Sequence, residues 1–368
     1  MTTTTPPRTN NSTNPTRIRA IIFDVDDCLY DVSTGFTQHR NGDIVHQYMV
    51  DHFQFETLAT AKAVRDEYFH RYHSTAKALT VAQQDGKFPP SPQTPTFETD
   101  HLAQYWVEHL NYELLWRQPK PTEEAAAATT TMAHAKARKR IFHDALKYQL
   151  PPEVRLIAFS NGPKRYVTKV LHTLGLWDLF GSSSRSGRRG GAGAGAGVGE
   201  NDKDDDNNTT TDEDTETDND GKYVFGVDDV LPYCKPEKEA FQIILDTINQ
   251  NQDSKHPPIR PEECIMVEDS MKNIRSAKAL GMHTILITGT KQQRQQQQHE
   301  EDPHRLLVND QPIDDDPAVD VAVEMVEQII DRLPKLFTNK SNDGAKKITT
   351  TQDDGGKKKI QSPAIFEP

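Results

Sequence analysis

The sequence predicts an α/β fold, a Rossmann-like parallel sheet with a small helical cap inserted after the first strand. Three observations carry that reading. Short apolar runs recur at 18–23, 154–159, 264–267 and 283–287, with 223–227 as a shorter candidate. Helical patterns lie between them, at 166–174 closed by Gly175, at 237–249, and at 273–280 closed by Gly281. Residues 31–119 then break the alternation with helical stripes alone. Apolar strands alternating with helices make a parallel sheet covered on both faces, and ligands in such sheets sit at the carboxyl ends of the strands.

The first strand ends on Asp24-Val25-Asp26-Asp27-Cys28-Leu29-Tyr30. Side chains alternate faces in an extended segment, so Asp24 and Asp26 project toward one cleft while Val25 points away. Two carboxylates about 4 Å apart repel by roughly 4 kcal/mol at an effective dielectric near 20. The site therefore needs a cation, or one acid must hold a proton.

The stripe Ile44, Val45, Tyr48, Met49 and Phe53 follows, then Tyr68, Phe69 and Tyr72, then Leu102, Tyr105, Trp106 and Leu110. These predict the core of a helical cap over 31–119, placed to cover the cleft. Pro121-Thr122-Glu123-Glu124 has the composition of a helix start leading back to the second strand. That strand ends on Ser160-Asn161-Gly162, Lys235-Pro236 opens a later helix, and the third long run ends on Glu268-Asp269-Ser270 with Asn273 after it. Each alone has an ordinary explanation as a strand end or helix cap. Together they bring acids, a hydroxyl, an amide and a lysine to one edge of the sheet. Hard carboxylate oxygens from Asp24 and Asp269 suit Mg²⁺, which prefers few protein ligands, several waters and a substrate phosphate.

The expected organisation is a core of 17–30 and 120–290, a cap of 31–119 and a terminal helix at 317–337. Low-complexity or disordered stretches are expected at 1–16, 181–221, 291–316 and 338–368. The net charge of −12 is concentrated, since 200–220 holds eleven acids against Lys203 alone. That balance is a solvated charge block rather than a field spread over the fold. The cluster Lys357 to Lys359 is too small to argue nucleic-acid binding, so no nucleic-acid partner is expected, and protein partners of the acidic and Gln-rich segments are not legible. Three cysteines, Cys28, Cys234 and Cys264, are too few for a disulfide framework or a zinc site. No apolar run approaches a membrane span, and no secretory signal opens the chain. Cytosol or nucleus is the expected compartment.

The order and strand context of these motifs resemble the haloacid dehalogenase (HAD) superfamily of aspartyl-phosphate phosphatases. Asp24-Val25-Asp26-Asp27-Cys28-Leu29 matches its first motif, Ser160 its second-strand hydroxyl, Lys235 its lysine and Glu268-Asp269 its acidic motif. Asp27-Cys28-Leu29-Tyr30, Arg71-Tyr72-His73-Ser74-Thr75, Phe159-Ser160-Asn161-Gly162 and Cys234-Lys235-Pro236 narrow the likeness to the pyrimidine 5′-nucleotidase branch. His73 stands where that branch has glycine, and Gly162 where it has alanine.

The resemblance implies that Asp24 is the nucleophile and that Asp26 is the proton carrier, its proton affinity raised by neighbouring acids. It further implies that Ser160, Asn161 and Lys235 hold phosphate oxygens. Mg²⁺ would be held by Asp24, the backbone carbonyl of Asp26, and Asp269, with Glu268 beside it. The implied substrate is a nucleoside monophosphate. Another small monoester, such as phosphoglycolate, a sugar phosphate or lysophosphatidate, is the alternative, and a non-catalytic interaction protein on the same fold is the rival from another class. A halide substrate is disfavoured, because dehalogenases of the superfamily lack an acid two residues after the nucleophile.

Overall fold

The structure is a computed structural model that describes residues 17–92, 94–117, 132–181, 221–251, 256–290 and 313–337. The low-complexity segments expected at the termini, within 181–221 and within 291–316 lie almost wholly outside these residues, as does the helix start at Pro121.

Six parallel strands form one sheet: β1 (Ala20–Phe23), β2 (Arg155–Phe159), β3 (Val224–Phe225), β4 (Cys264–Glu268), β5 (His283–Ile287) and β6 (Val321–Val323). Their spatial order is β3-β2-β1-β4-β5-β6. Strand order reverses at β1, which pairs with β2 on one side and β4 on the other, with Phe23 opposite Ala158 and Val267. The crevice at that reversal is where a doubly wound sheet takes its ligand.

Period-two alternation explains the two covered faces. Ile21 and Phe23 of β1 join Leu156, Ala158, Ile265 and Val267 in one core, while Ala20 and Ile22 join Ile157, Phe159, Cys264 and Met266 in the other. Helices α6 (Met132–Tyr148), α7 (Lys164–Leu174) and α8 (Trp177–Gly181) cover the first face through Phe142, Leu146, Val167, Val170 and Phe180. Helices α9 (Lys238–Gln250) and α10 (Met271–Ala279) cover the second through Phe241, Ile244, Leu245 and Ala277. Phe23 packs edge-on against Phe142 and Phe180 at ring separations of 6.1 and 6.0 Å.

The expected fold class holds, with a parallel sheet and helices on both faces. The expected terminal helix at 317–337 is a correction. Val321–Val323 instead forms β6 on the open edge of β5, and only the short turns Val326–Gln328 and Ile329–Arg332 are helical. A Val-Ala-Val triplet beside an unpaired strand edge gains ladder hydrogen bonds that a lone helix would not supply.

Between β1 and β2 the chain forms α1 (Phe36–His39), α2 (Val45–Phe53), α3 (Leu58–Tyr72), α4 (Thr75–Gln84) and α5 (Thr99–His109). Tyr48, Met49, Phe53, Tyr68, Leu102 and Trp106 are buried, as their spacing predicts. Helix α4 is additional to the three stripes. Ser74 caps it by accepting from the Lys77 N–H, and its Ala76, Ala78, Leu79 and Ala82 are buried. An alanine-rich face is weak in a hydrophobicity pattern although Ala is the best helix former.

Candidate functional site

The strand-end residues converge. Asp24 follows β1 directly, and its backbone N–H bonds the carbonyl of Val267 at 2.9 Å, which locks β1 to β4 where both strands end. Lys235 arrives from the loop before α9 with only 1% of its side chain exposed. Its ammonium donates to Asp24 Oδ1 at 2.6 Å, to Glu268 Oε2 at 2.8 Å and to the Phe159 carbonyl at 3.0 Å. Three donors meet three acceptors, which satisfies the buried amine. Burial disfavours its charge, but Asp24 and Glu268 outweigh that and raise its proton affinity, so Lys235 stays cationic.

Asp24, Glu268 and Asp269 each present an oxygen within 4.8 Å of the others. Burial raises the proton affinity of Asp24, and Glu268 raises it further against the opposing pull of Lys235. Asp269 is raised by burial, then by Glu268 and Asp24. Three hard oxygen donors whose negative charge is under-compensated by one lysine fit a divalent cation of the Mg²⁺ type.

Asp26 lies apart from that cluster and differs from expectation. Its Oδ1 accepts from Tyr166 Oη at 2.6 Å and Tyr30 Oη at 2.7 Å. Its Oδ2 pairs with an Arg40 guanidinium nitrogen at 2.7 Å and accepts from Ser160 Oγ at 3.1 Å. Burial pushes the Asp26 carboxyl up, yet the Arg40 charge and the hydrogen bonds from Arg40, Tyr166 and Tyr30 together hold it below the ordinary carboxylate value. The expectation that neighbouring acids raise its proton affinity is therefore corrected. The raised acid is Asp27, pushed up to about 7 by burial and by Asp26. Asp27 holds a left-handed backbone at φ 56°, and its carboxyl accepts from Thr37 Oγ1 at 2.8 Å.

Ser160 Oγ donates to Asp26 and accepts the Gly162 N–H at 2.9 Å, so it stands between the loop backbone and the Asp26 carboxylate. Asn161 is brought to the same loop but does not offer its side chain as an open phosphate ligand. Its amide oxygen accepts the Lys235 N–H at 2.9 Å, and its amide nitrogen donates to the Lys235 carbonyl at 2.9 Å and the His73 carbonyl at 3.4 Å. The residue is a brace between two core loops and the cap.

The cap is fastened to the core beside these loops. Ser74 Oγ donates to the Asn161 carbonyl at 2.9 Å, Cys234 Sγ lies 3.2 Å from the Tyr72 carbonyl, Lys77 pairs with Glu237, and His73 Nε2 lies 2.9 Å from Lys272 Nζ. The segment Arg71 to Thr75 thus meets the loops after β2 and before α9 and the first turn of α10. His73 takes a left-handed backbone at φ 50°, which explains why glycine suits that position in the resembling branch. Gly162 has a matching reason: a Cβ there would lie 2.9 Å from Tyr166 Cδ1.

Sequence reasoning overlooked the roles of Arg40, Tyr30 and Tyr166. Tyr30 stands in the first motif and Tyr166 opens the helical pattern at 166–174, and the sequence gives neither a role at the site. Arg40 carries no local signal, being one basic residue in a helical stretch. Among the described residues no helix is long and apolar enough to cross a membrane.

Residues 232–311 match the family described as HAD-hydrolase-like. No curated protein sequence matches the chain. Among solved structures, L-2-haloacid dehalogenase from Xanthobacter autotrophicus is similar at 14% identity and a TM-score of 0.37, over 85% of this chain and 96% of that one. CbbY from Rhodobacter sphaeroides in complex with phosphate is similar at 14% identity and a TM-score of 0.39, again over 85% and 96%. A conserved haloacid dehalogenase-like protein of unknown function from Agrobacterium tumefaciens gives 14% identity and a TM-score of 0.33 over the same shares. The segment that matches this family contains Cys234-Lys235-Pro236 and Glu268-Asp269, and the structure gathers those residues with Asp24 and Ser160 at one edge of the sheet.

Proposed function

We propose that the protein is a Mg²⁺-dependent phosphomonoesterase that works through an aspartyl-phosphate, with pyrimidine nucleoside monophosphates as the preferred substrates. The observation that carries the chemistry is Lys235 bridging Asp24 and Glu268 while a separate acid, Asp26, stands two residues on. A dehalogenase has no use for that second acid, whereas a phosphatase must move a proton to and from oxygen.

Asp24 attacks phosphorus in line with the ester oxygen, forming an Asp24–phosphorus bond as the bond to the leaving oxygen breaks. Asp26, ionised at rest, takes up a proton from the monoanionic ester or from water and delivers it to that oxygen. It later takes one from the water that attacks the aspartyl-phosphate, which regenerates both acids and releases inorganic phosphate. Lys235 orients Asp24 and offers positive charge to the phosphoryl oxygens, and the Ser160 hydroxyl can turn from Asp26 to a phosphate oxygen. Donors already in place where charge develops supply a large share of such catalysis. Asp24, Glu268 and Asp269 would hold the cation, which offsets the charge of the acids and the phosphate.

The preference for pyrimidine nucleotides rests on the Arg71 to Thr75 and Cys234 to Pro236 segments, which the cap and core press together beside the site. A phosphate-release panel with Mg²⁺, comparing UMP and CMP with AMP, phosphoglycolate and sugar phosphates, tests it. The pyrimidine monophosphates are expected to lead. Equal rates across the panel, or a lead for a small organic phosphate, would replace the narrower reading with another monoester.

A further inference from the structure

We propose that Arg40, carried by the segment entering the cap, is the positioning residue for Asp26, and that it acts with Tyr30 and Tyr166 as a fixed cradle from which Ser160 alone is meant to detach. The inference rests on the phosphomonoesterase reading and deepens it.

An ionised carboxylate offers about four lone-pair sites. In Asp26 four donors address them: Tyr30 and Tyr166 at Oδ1, Arg40 and Ser160 at Oδ2. As it stands, the carboxylate has no site left for a leaving oxygen or a water. One donor must leave before a proton can move.

The four are not equally able to leave. Arg40 is 7% exposed, and its guanidinium lies over two rings, 5.2 Å from the Trp106 centroid and 4.9 Å from that of Tyr166. It also donates to Tyr166 Oη at 2.7 Å, so arginine, tyrosine and aspartate close a triangle of short contacts. Tyr166 is fully buried and stacks on Phe36, and Tyr30 meets Phe36 edge-on. Tyr30 is held further by Thr37 at 2.8 Å. Ser160 makes the longest of the four contacts, and besides Asp26 its hydroxyl oxygen only accepts the Gly162 N–H at 2.9 Å, a bond that survives when the hydroxyl proton turns away.

A phosphate oxygen that recruits the Ser160 hydroxyl therefore vacates one site on Asp26 Oδ2. The other three donors keep the carboxyl aimed while a proton passes through the vacated site. Asp26, ionised under its four donors, takes up a proton at the vacated site from the monoanionic ester or from water. It passes that proton to the leaving oxygen as the bond to phosphorus breaks, and takes another from the attacking water in the second step. Because Arg40 and Trp106 both come from the cap segment, the cap contributes to the chemistry by aiming a core residue as well as by contacting substrate.

Leaving-group dependence separates positioning from mere support. An alkyl phosphate needs the proton as its oxygen departs, whereas p-nitrophenolate departs well without one. With the full-length chain and saturating Mg²⁺, kcat/KM reports the first step. Arg40→Met is expected to lower kcat/KM for an alkyl phosphate by about 10- to 100-fold, a fraction of the range acid catalysis spans, and for p-nitrophenyl phosphate by less than about threefold. Tyr166→Phe, which deletes one hydroxyl and keeps the ring, is expected to show the same asymmetry at smaller size. If Arg40→Met does not fold, Tyr166→Phe decides alone. Equal losses on both esters, or no loss on either, would overturn the role of Arg40 while leaving the phosphatase reading intact. A wild-type protein inactive on both esters would overturn both.

Discussion

Lys235 holds two acids together in a deeply buried site, and that makes it the most vulnerable single point of the design. Replacing one member of a buried ion network typically costs about 3–5 kcal/mol, because the remaining charges are left uncompensated. Lys235→Met is therefore expected to lower unfolding free energy by roughly that amount at pH 8. Asp24 already has a raised proton affinity, led by burial and Glu268, and the loss of Lys235 raises it further. A carboxyl whose folded affinity exceeds its unfolded one stabilises the fold at low pH and ceases to as pH rises. Urea titration should accordingly show a smaller deficit at pH 5 than at pH 8; a pH-independent deficit would contradict the network as described.

At this scale the sequence was legible where chemistry falls at strand ends. Asp24, Ser160, Lys235, Glu268 and Asp269 all follow or flank recognisable apolar runs, and all meet in the structure. The side chain of Asn161 was misread because its neighbours in space, the Lys235 backbone and the His73 carbonyl, lie 74 and 88 residues away in the chain. The environment of Asp26 was misread for the same reason, since Arg40 and Tyr166 belong to different elements and nothing local announces either.

Elements carry the site through Gly226 and the left-handed His73. A Cβ on Gly226 would lie 2.1 Å from the Lys164 nitrogen and 2.4 Å from Asp228 Oδ1, which itself accepts from that nitrogen. Gly226→Ala must push the first turn of α7 aside, and Tyr166 with it. A destabilisation of about 1–3 kcal/mol by urea unfolding is expected, as for other overpacked sites, and an unchanged midpoint would contradict the close approach. His73, at the α3–α4 corner, has its imidazole pKa lowered to about 4 by burial, then by Lys272 and His70. The unfolded chain therefore takes up a proton between about pH 6.5 and 4 that the folded one refuses. His73 should thus cost stability progressively as pH falls through that window, and His73→Asn, which tolerates the left-handed backbone, should flatten the Tm profile there. Elements themselves were readable where apolar spacing was strong. β6 and α4 escaped, the first because a three-residue strand exists only through its neighbour β5, the second because alanine marks a helix face faintly.

Over the whole molecule, the sheet gathers three carboxylates in one place and supplies one lysine against them. Relief by a divalent cation should therefore stabilise the folded state by mass action. Mg²⁺ is expected to raise Tm, and by more at pH 8 than at pH 5, because the raised affinities of Asp24 and Asp269 make protons compete with the metal at low pH. A Tm indifferent to Mg²⁺ at pH 8 would argue against a cation at these acids. The order of the strands in the sheet is seen only in the structure, whereas strand ends and cap insertion follow from the alternation of apolar runs and helices. Substrate choice does not, because it depends on the cap surface pressed against the loops at Asn161 and Lys235. The central claim is that Asp24 is the nucleophile. Its most direct measurement is phosphate release from a monoester with Mg²⁺, wild type against Asp24→Asn. The account predicts turnover by the wild type and a loss of at least about a thousandfold in the variant, since a missing nucleophile leaves only residual catalysis; full activity in Asp24→Asn would contradict it.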